Sequence, residues 1–125
     1  MITKRELLMG RVSEDKLPKE LLDNLNSLHK KINVIREAYK RPMTVSSGYR
    51  SPEINKKVGG AKNSWHLKCA AVDIFDNDGT LQKWISKNEA LLISTGLWVE
   101  DFKYTKGWVH FQIYPPKSGE LFFKP

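Results

Sequence analysis

The spacing of hydrophobic positions predicts one long helix in the first third of the chain. Between Lys19 and Lys40, apolar residues recur at steps of three and four, which places them on one face of a helix of about six turns. These residues are Leu21, Leu25, Leu28, Ile32, Ile35 and Tyr39. The pattern indicates a scaffold helix, and Arg41-Pro42 ends it because the residue before a proline disfavours the α region.

The other elements are predicted to be short. In chain order they are a helix at 4–9, a strand at 43–47, a helix at 52–58, a loop at 61–68, a strand at 70–75 and one or two helical pieces at 80–96. Ser51 and Thr80 are expected to cap the helices that they begin, because hydroxyl side chains accept hydrogen bonds from the first free backbone N–H groups.

The last third of the chain predicts a β-hairpin. From Trp108 to Ile113 apolar and polar residues alternate, so that Val109 and Phe111 face the core and His110 shares the polar face with its neighbours at even positions, Trp108 and Gln112. A turn around Thr105 then places Glu100 opposite His110, on the same face of the hairpin. A slip of one residue would bring Asp101 to that position instead.

Composition fits one soluble domain. The chain has 125 residues, of which 40% are hydrophobic, and contains no apolar run long enough to cross a bilayer. We expect a core at about 17–114, an N-terminal arm at 1–16 and a tail at 115–125. The N-terminus lacks the apolar core of a signal peptide, so we expect synthesis in the cytoplasm.

Charge and cysteine content narrow the possible functions. The formal net charge of +7 favours an anionic partner, such as nucleic acid, a membrane surface or a bacterial cell wall. One cysteine excludes an internal disulfide and does not support a thiolate-rich structural zinc site.

Two histidines and one aspartate form the candidate chemistry. Asp73 lies in an otherwise apolar strand, where a carboxylate is costly unless it is paired, hydrogen-bonded or bound to a metal. With His66 and His110 it would supply the imidazole and carboxylate ligands of a catalytic zinc site, which keeps one position open. The alternatives are a buried salt bridge or a turn cap at the strand end for Asp73, and structural roles for the histidines. A hydrolase of this kind also needs a general base, for which Glu100 ranks before Asp101.

Three segments resemble the zinc D-Ala-D-Ala carboxypeptidases and the L-alanyl-D-glutamate endopeptidases, whose fold is shared with the Hedgehog signalling domain. They are 46–55 (SSGYRSPEIN), 58–66 (VGGAKNSWH) and 108–110 (WVH). The family pattern Ser-x-His-x6-Asp is met by Ser64, His66 and Asp73. The resemblance runs from about Leu17 to Tyr114. It implies an α+β fold, in which helices pack on a small antiparallel sheet.

The resemblance also implies roles for individual residues. A zinc ion would be held by three side chains, namely His66, Asp73 and His110. Arg50 would bind a carboxylate of the peptide substrate, for which its planar guanidinium is suited. The alternative for Arg50 is a structural ion pair, for example with Glu53. Ser64 is assigned to substrate binding together with Arg50, and it is expected to orient the His66 loop by hydrogen bonding.

Two positions depart from the family pattern. Cys69 stands where the family usually has glycine, which makes the turn before Asp73 more crowded. Gly107 stands three residues before the last histidine, where the family has a well-known glutamate. The base must therefore come from the preceding strand, as in family members with a longer hairpin, and this departure bears on the Glu100 assignment more than on the ligands.

The sequence therefore predicts a monomeric zinc peptidase that cleaves peptidoglycan stem peptides, as a D,D-carboxypeptidase or an L-alanyl-D-glutamate endopeptidase. Small size and basic charge resemble phage lysis or virion-associated enzymes, so we expect it to act on the bacterial cell wall. One rival is a non-catalytic, zinc-containing module that binds the cell wall or belongs to a virion. A nucleic-acid binder is the second rival, but the chain has no helix-turn-helix or RNP signature, and we expect no nucleic-acid partner.

Overall fold

A mixed sheet with the strand order β1-β2-β4-β3-β5 underlies the α+β fold. The computed structural model describes residues 1–125. The strands are β1 (Val45–Ser47), β2 (Ala71–Phe75), β3 (Trp98–Glu100), β4 (Trp108–Gln112) and β5 (Phe122–Phe123). The helices are α1 (Lys4–Leu7), α2 (Lys19–Tyr39), α3 (Pro52–Lys57), α4 (Thr80–Ser86) and α5 (Glu89–Thr95). Three 3-10 turns lie at Glu14–Lys16, Trp65–Lys68 and Phe102–Tyr104. No helix is both long enough and apolar enough to span a membrane.

The long helix α2 forms as predicted and buries the predicted face. Leu25, Leu28, Ile32 and Ile35 are fully buried in the core, and each such side chain contributes about 1.5–3 kcal/mol of hydrophobic stabilisation. The helix ends at Tyr39, and the next residue, Lys40, adopts a left-handed backbone conformation that closes the last turn.

The N-terminal arm packs against α2 through a buried asparagine. Asn33 Oδ1 accepts a hydrogen bond from the backbone N–H of Ile2 at 2.8 Å, and its Nδ2 donates to the carbonyl of the same residue at 2.9 Å. Ile2, Leu7 and Leu8 are buried in the hydrophobic core. The arm, 1–16, therefore contributes side chains to the core although it precedes the expected core range.

The hairpin between β3 and β4 has the predicted register. Trp98 pairs with Gln112 and Val99 with Phe111, which are the pairs expected from a turn around Thr105. Phe111 is fully buried, as predicted for the apolar face. Continued by one residue, the same register places Glu100 opposite His110.

Two local predictions were wrong. Thr80 is the first residue of α4 rather than its cap. Gly79 occupies the cap position, and Asp76 accepts hydrogen bonds from the backbone N–H groups of Leu81 and Gln82, both at 2.9 Å. A carboxylate suits this place because a helix N-terminus carries partial positive charge. The segment 61–68, expected to be a loop, ends in a 3-10 turn.

The tail adds a strand whose structure the sequence did not predict. β5 pairs in parallel with β3, with Val99 opposite Phe122 and Glu100 opposite Phe123. Phe123 is 7% exposed. The strand covers the edge that β3 would otherwise leave open, and an open sheet edge is a site of unwanted pairing with other chains.

Candidate metal centre

A row of residues, one from each strand, crosses the sheet at the predicted site. Ser47 pairs with Asp73, and Asp73 with His110. The register of the hairpin continues the row to Glu100, which pairs with Phe123. Cross-strand partners project from the same face of a sheet. The topology thus brings Asp73, His110 and Glu100 together, although they are far apart in the chain.

His66 joins this row from the 3-10 turn that precedes β2. The Ser64 hydroxyl accepts a hydrogen bond from the backbone N–H of His66 at 3.2 Å and so caps the turn. The backbone carbonyl of His66 accepts a hydrogen bond from the backbone N–H of Arg50 at 3.1 Å. The turn ends at Cys69, whose backbone is left-handed with φ of 57°. These contacts fix the loop, and Ser64 makes the orienting hydrogen bond expected of it.

The three predicted metal ligands meet at one point. Asp73 Oδ1 lies 3.2 Å from His66 Nε2 and 2.8 Å from His110 Nδ1, and one ligand atom from each residue lies within 4.8 Å of the others. His66 is 3% exposed and Asp73 is 5% exposed. Cys69 is not part of this cluster.

The hydrogen bonds behind the histidines fit a metal ion between them. His66 Nδ1 lies 2.9 Å from the carbonyl oxygen of Gly48, and His110 Nε2 lies 2.8 Å from Gln112 Oε1. Both partners accept, so each of these ring nitrogens carries a proton. In the neutral rings the other nitrogens then direct lone pairs at the Asp73 carboxylate. Such an arrangement needs a positive charge between the groups, which a second proton on the imidazole or a metal ion can supply, and nitrogen and oxygen ligands of this kind suit zinc.

Electrostatics keeps the carboxylate of the cluster ionised. Burial alone would raise the pKa of Asp73, but the hydrogen bonds and charges of His110 and His66 outweigh it and hold the pKa at about 2. Burial also lowers the pKa of His110, and the hydrogen bond to Asp73 reverses that effect and raises it. An anionic Asp73 at neutral pH is the form that binds a metal.

Arg50 lies beside the cluster at the β1 end of the row. Its Nε donates to Ser47 Oγ and its Nη1 to Asn55 Oδ1, both at 3.2 Å, while Nη2 lies 3.8 Å from Asp73 Oδ2. Its acidic neighbour is therefore Asp73 and not the considered alternative, Glu53. Burial lowers the pKa of Arg50, and the charge of Asp73 opposes that change. A guanidinium has five N–H donors, so these contacts leave donors for another carboxylate.

The two candidate bases differ in environment. Glu100 is half-buried, and burial raises the pKa of its carboxyl, an effect that His110 weakens and Asp73 strengthens. Asp101 instead accepts a hydrogen bond from the backbone N–H of Lys103 at 2.9 Å and caps the third 3-10 turn. The geometry therefore favours Glu100 as the carboxylate that faces the metal ligands.

Comparison with known protein families agrees with this geometry. The chain matches the family described as Peptidase M15 over residues 4–111, which is most of its length. The chain belongs to the peptidase M15 family. No curated protein matches this peptidase. Family membership makes it a zinc metallopeptidase, a hydrolase whose substrates are peptides and whose cofactor is zinc.

Sequence reasoning missed two residues that position the site of this M15 peptidase. Gly48 provides the carbonyl behind His66, and a Cβ at this position would clash with the carbonyl oxygen of Leu7. Gln112 stands behind His110. Both residues were visible in the sequence, Gly48 within a motif segment and Gln112 on the polar face of the hairpin, but their partners depend on long-range packing.

Proposed function

We propose that this M15 peptidase cleaves peptidoglycan stem peptides, as a D,D-carboxypeptidase or an L-alanyl-D-glutamate endopeptidase, in cell-wall degradation or phage lysis. The observation that carries the proposal is the row across the sheet. It has Arg50 near one end, the ligands His66, Asp73 and His110 in the middle, and Glu100 on the far side. A substrate that crosses the strands would meet a carboxylate-binding group, a metal and a base in that order.

The chemistry divides between the cofactor and the protein. Bound zinc supplies Lewis acidity, which polarises the scissile carbonyl and makes water easier to deprotonate. The Glu100 carboxylate takes the proton of the attacking water and returns it to the nitrogen of the leaving amine. Burial suits Glu100 to this work, because a carboxyl with a raised pKa accepts and releases a proton more readily near neutral pH.

Substrate binding is proposed for Arg50 and for a groove at the opposite end of the row. The unused guanidinium N–H groups of Arg50 would bind a substrate carboxylate, and Ser64 would support the site by holding the His66 turn. A groove of about 610 Å³ borders the site near Phe123, with Trp65, Lys117 and Lys124 in its lining. It offers space for the remainder of an acidic stem peptide, and its two lysines outweigh the one acidic side chain in the lining, Glu120.

The proposal is tested by digestion of defined peptidoglycan fragments with the zinc-loaded protein. Mass spectrometry distinguishes the two activities, because a carboxypeptidase releases free D-alanine and an endopeptidase exposes a new N-terminal D-glutamate. We expect one of these products, its loss with a chelator and its return with added zinc. No product from either substrate type, with zinc bound in stoichiometric amount, would overturn the proposal.

Gly107 supports the alternative of a non-catalytic zinc-containing module that binds the cell wall or belongs to a virion. It occupies the place of the glutamate that the resemblance leads one to expect three residues before His110, and it has a left-handed φ of 87°. On this alternative the protein would bind zinc and sediment with purified cell walls, but it would release no peptide product from them.

A further inference from the structure

We propose that Gln112 is a positioning residue that fixes the tautomer of His110, so that Nδ1 is the nitrogen available to zinc. This inference rests on the proposed metal site and concerns a residue that does not itself bind the metal. Gln112 is 4% exposed, and its side chain lies on the same face of β4 as His110. Both ends of its amide have partners, and these partners determine which way the amide points.

The orientation of the amide follows from the carbonyl of Tyr114. Gln112 Nε2 lies 2.8 Å from this carbonyl oxygen, which can only accept a hydrogen bond. The amide NH2 must therefore face Tyr114, because the opposite orientation would place two acceptor oxygens in contact. Gln112 Oε1 then faces His110 Nε2 at 2.8 Å. An amide oxygen only accepts, so Nε2 of His110 carries the proton and Nδ1 is free to bind a metal.

Tyr114 is itself held in place by contacts with α2 and with the 3-10 turn that precedes β2. The Tyr114 hydroxyl donates to Asn24 Oδ1 on α2, and Asn24 Nδ2 donates to the carbonyl of Lys68 at 3.0 Å. The ring of Tyr114 also packs on Trp65, with ring centroids 4.6 Å apart. The packing against α2 and the 3-10 turn thus fixes the Tyr114 carbonyl, and this carbonyl orients the Gln112 amide toward His110.

Removal of this acceptor should leave His110 with a competing tautomer. A neutral imidazole without a partner at Nε2 gains a hydrogen bond by carrying its proton on Nδ1, where Asp73 Oδ1 lies 2.8 Å away. That proton would occupy the nitrogen that the metal needs. Partners behind metal-ligating histidines are typically worth 10- to 100-fold in metal affinity, and we expect a loss of this size.

The test compares Gln112→Met with Gln82→Met as a matched control. Gln82 also donates to backbone carbonyls in partly buried hydrogen bonds, to Thr105 and Trp108 at 2.9 Å, and its side chain has no hydrogen bond with a proposed ligand. Zinc dissociation constants are measured by chelator competition, which needs no catalytic activity. We expect Gln112→Met to weaken zinc binding 10- to 100-fold and Gln82→Met to lower the melting temperature with at most a threefold change in zinc affinity.

A measurement of the His110 ring proton and a conservative variant complete the test. Nitrogen-15 NMR of the zinc-loaded protein should show a proton on Nε2 of His110 that is protected from exchange with water in the wild type and exchanges faster in Gln112→Met. Gln112→Glu retains an acceptor toward His110 but places a carboxylate oxygen against the Tyr114 carbonyl, so it should bind zinc more tightly than Gln112→Met and more weakly than the wild type. Unchanged zinc affinity and unchanged exchange of the Nε2 proton in Gln112→Met would overturn the proposal, as would an equal loss of zinc affinity in Gln82→Met. A Gln112→Glu variant as weak as Gln112→Met would also overturn it.

Discussion

Replacement of Glu100 by glutamine is the sharpest test of the proposed base. The change removes a charge and a proton acceptor but keeps the size of the side chain. A positioned general base typically contributes a factor of 10² to 10⁴ in rate, so we expect kcat to fall by that factor. This loss corresponds to about 3–5 kcal/mol of transition-state stabilisation.

The structure also specifies what should not change. Glu100 is not among the three side chains that converge on the metal position, so zinc affinity should stay within about threefold. Arg50, at the other end of the row, is untouched, and KM should move less than kcat. Cleavage of a stem-peptide fragment is followed by mass spectrometry, and zinc binding by chelator competition in the same samples.

The pH profile gives a second measure of the same group. Burial raises the pKa of Glu100, the charge of His110 lowers it, and that of Asp73 raises it again, with a net upward shift. The base must be ionised to act. Activity in the wild type should therefore rise with pH through a pKa above the ordinary glutamate value, and Glu100→Gln should lack this limb.

Asp101→Asn is the matched control, because the neighbouring carboxylate caps the turn Phe102–Tyr104. Asparagine is nearly as good a cap as aspartate, so stability and kcat should change little. Suppose that Asp101→Asn lost activity while Glu100→Gln kept more than a tenth of the wild-type kcat. This result would refute the assignment of the base and of the hairpin register near the site.

Three further substitutions test the surroundings of the site. Arg50→Lys cannot keep both side-chain hydrogen bonds of the guanidinium, so KM for a substrate with a free carboxylate should rise at least about tenfold, as steady-state kinetics would show. Burial raises the pKa of Cys69 from 9.0 to about 12. Because the thiol therefore ionises at lower pH in the unfolded chain than in the folded protein, the free energy of unfolding falls as the pH rises above 9. Cys69→Ala should make the free energy of unfolding less dependent on pH, as urea unfolding between pH 8 and 11 would show. Gly48→Ala would place a Cβ against the Leu7 carbonyl, and we expect a loss of about 1–3 kcal/mol by urea unfolding, together with weaker zinc binding. Normal stability and zinc affinity in Gly48→Ala would show that the close approach is not required.

Much of the fold could be predicted because its signals are local. The steps of three and four in α2 define a face, and burial of that face follows from the hydrophobic effect alone. The alternation in 108–113 defines which residues face the core, and folding the hairpin about Thr105 gives the register that is observed. The proposed ligands could be predicted from a local signal too, because an aspartate in an apolar strand is costly unless it is paired, hydrogen-bonded or bound to a metal.

The remainder depended on partners that are distant in the chain. Nothing near Asp76 shows that its carboxylate reaches past Gly79 to cap α4, because several polar residues in that turn are equally suitable. The pairing of β5 with β3 joins the tail to a strand more than twenty residues earlier. Likewise, the sequence gives no sign that Leu7 approaches Gly48 closely enough to require glycine there.

The proposed ligands come from the turn before β2, from β2 itself and from β4, so a bound ion would connect segments that separate when the chain unfolds. In a protein without a disulfide, such an ion acts as a reversible cross-link. Free zinc at a thousandfold excess over its dissociation constant would add about 4 kcal/mol to the free energy of unfolding. Chelation should therefore shorten the lifetime of the folded enzyme as well as stop its turnover, and cobalt in place of zinc would lose its visible absorption as the protein melts.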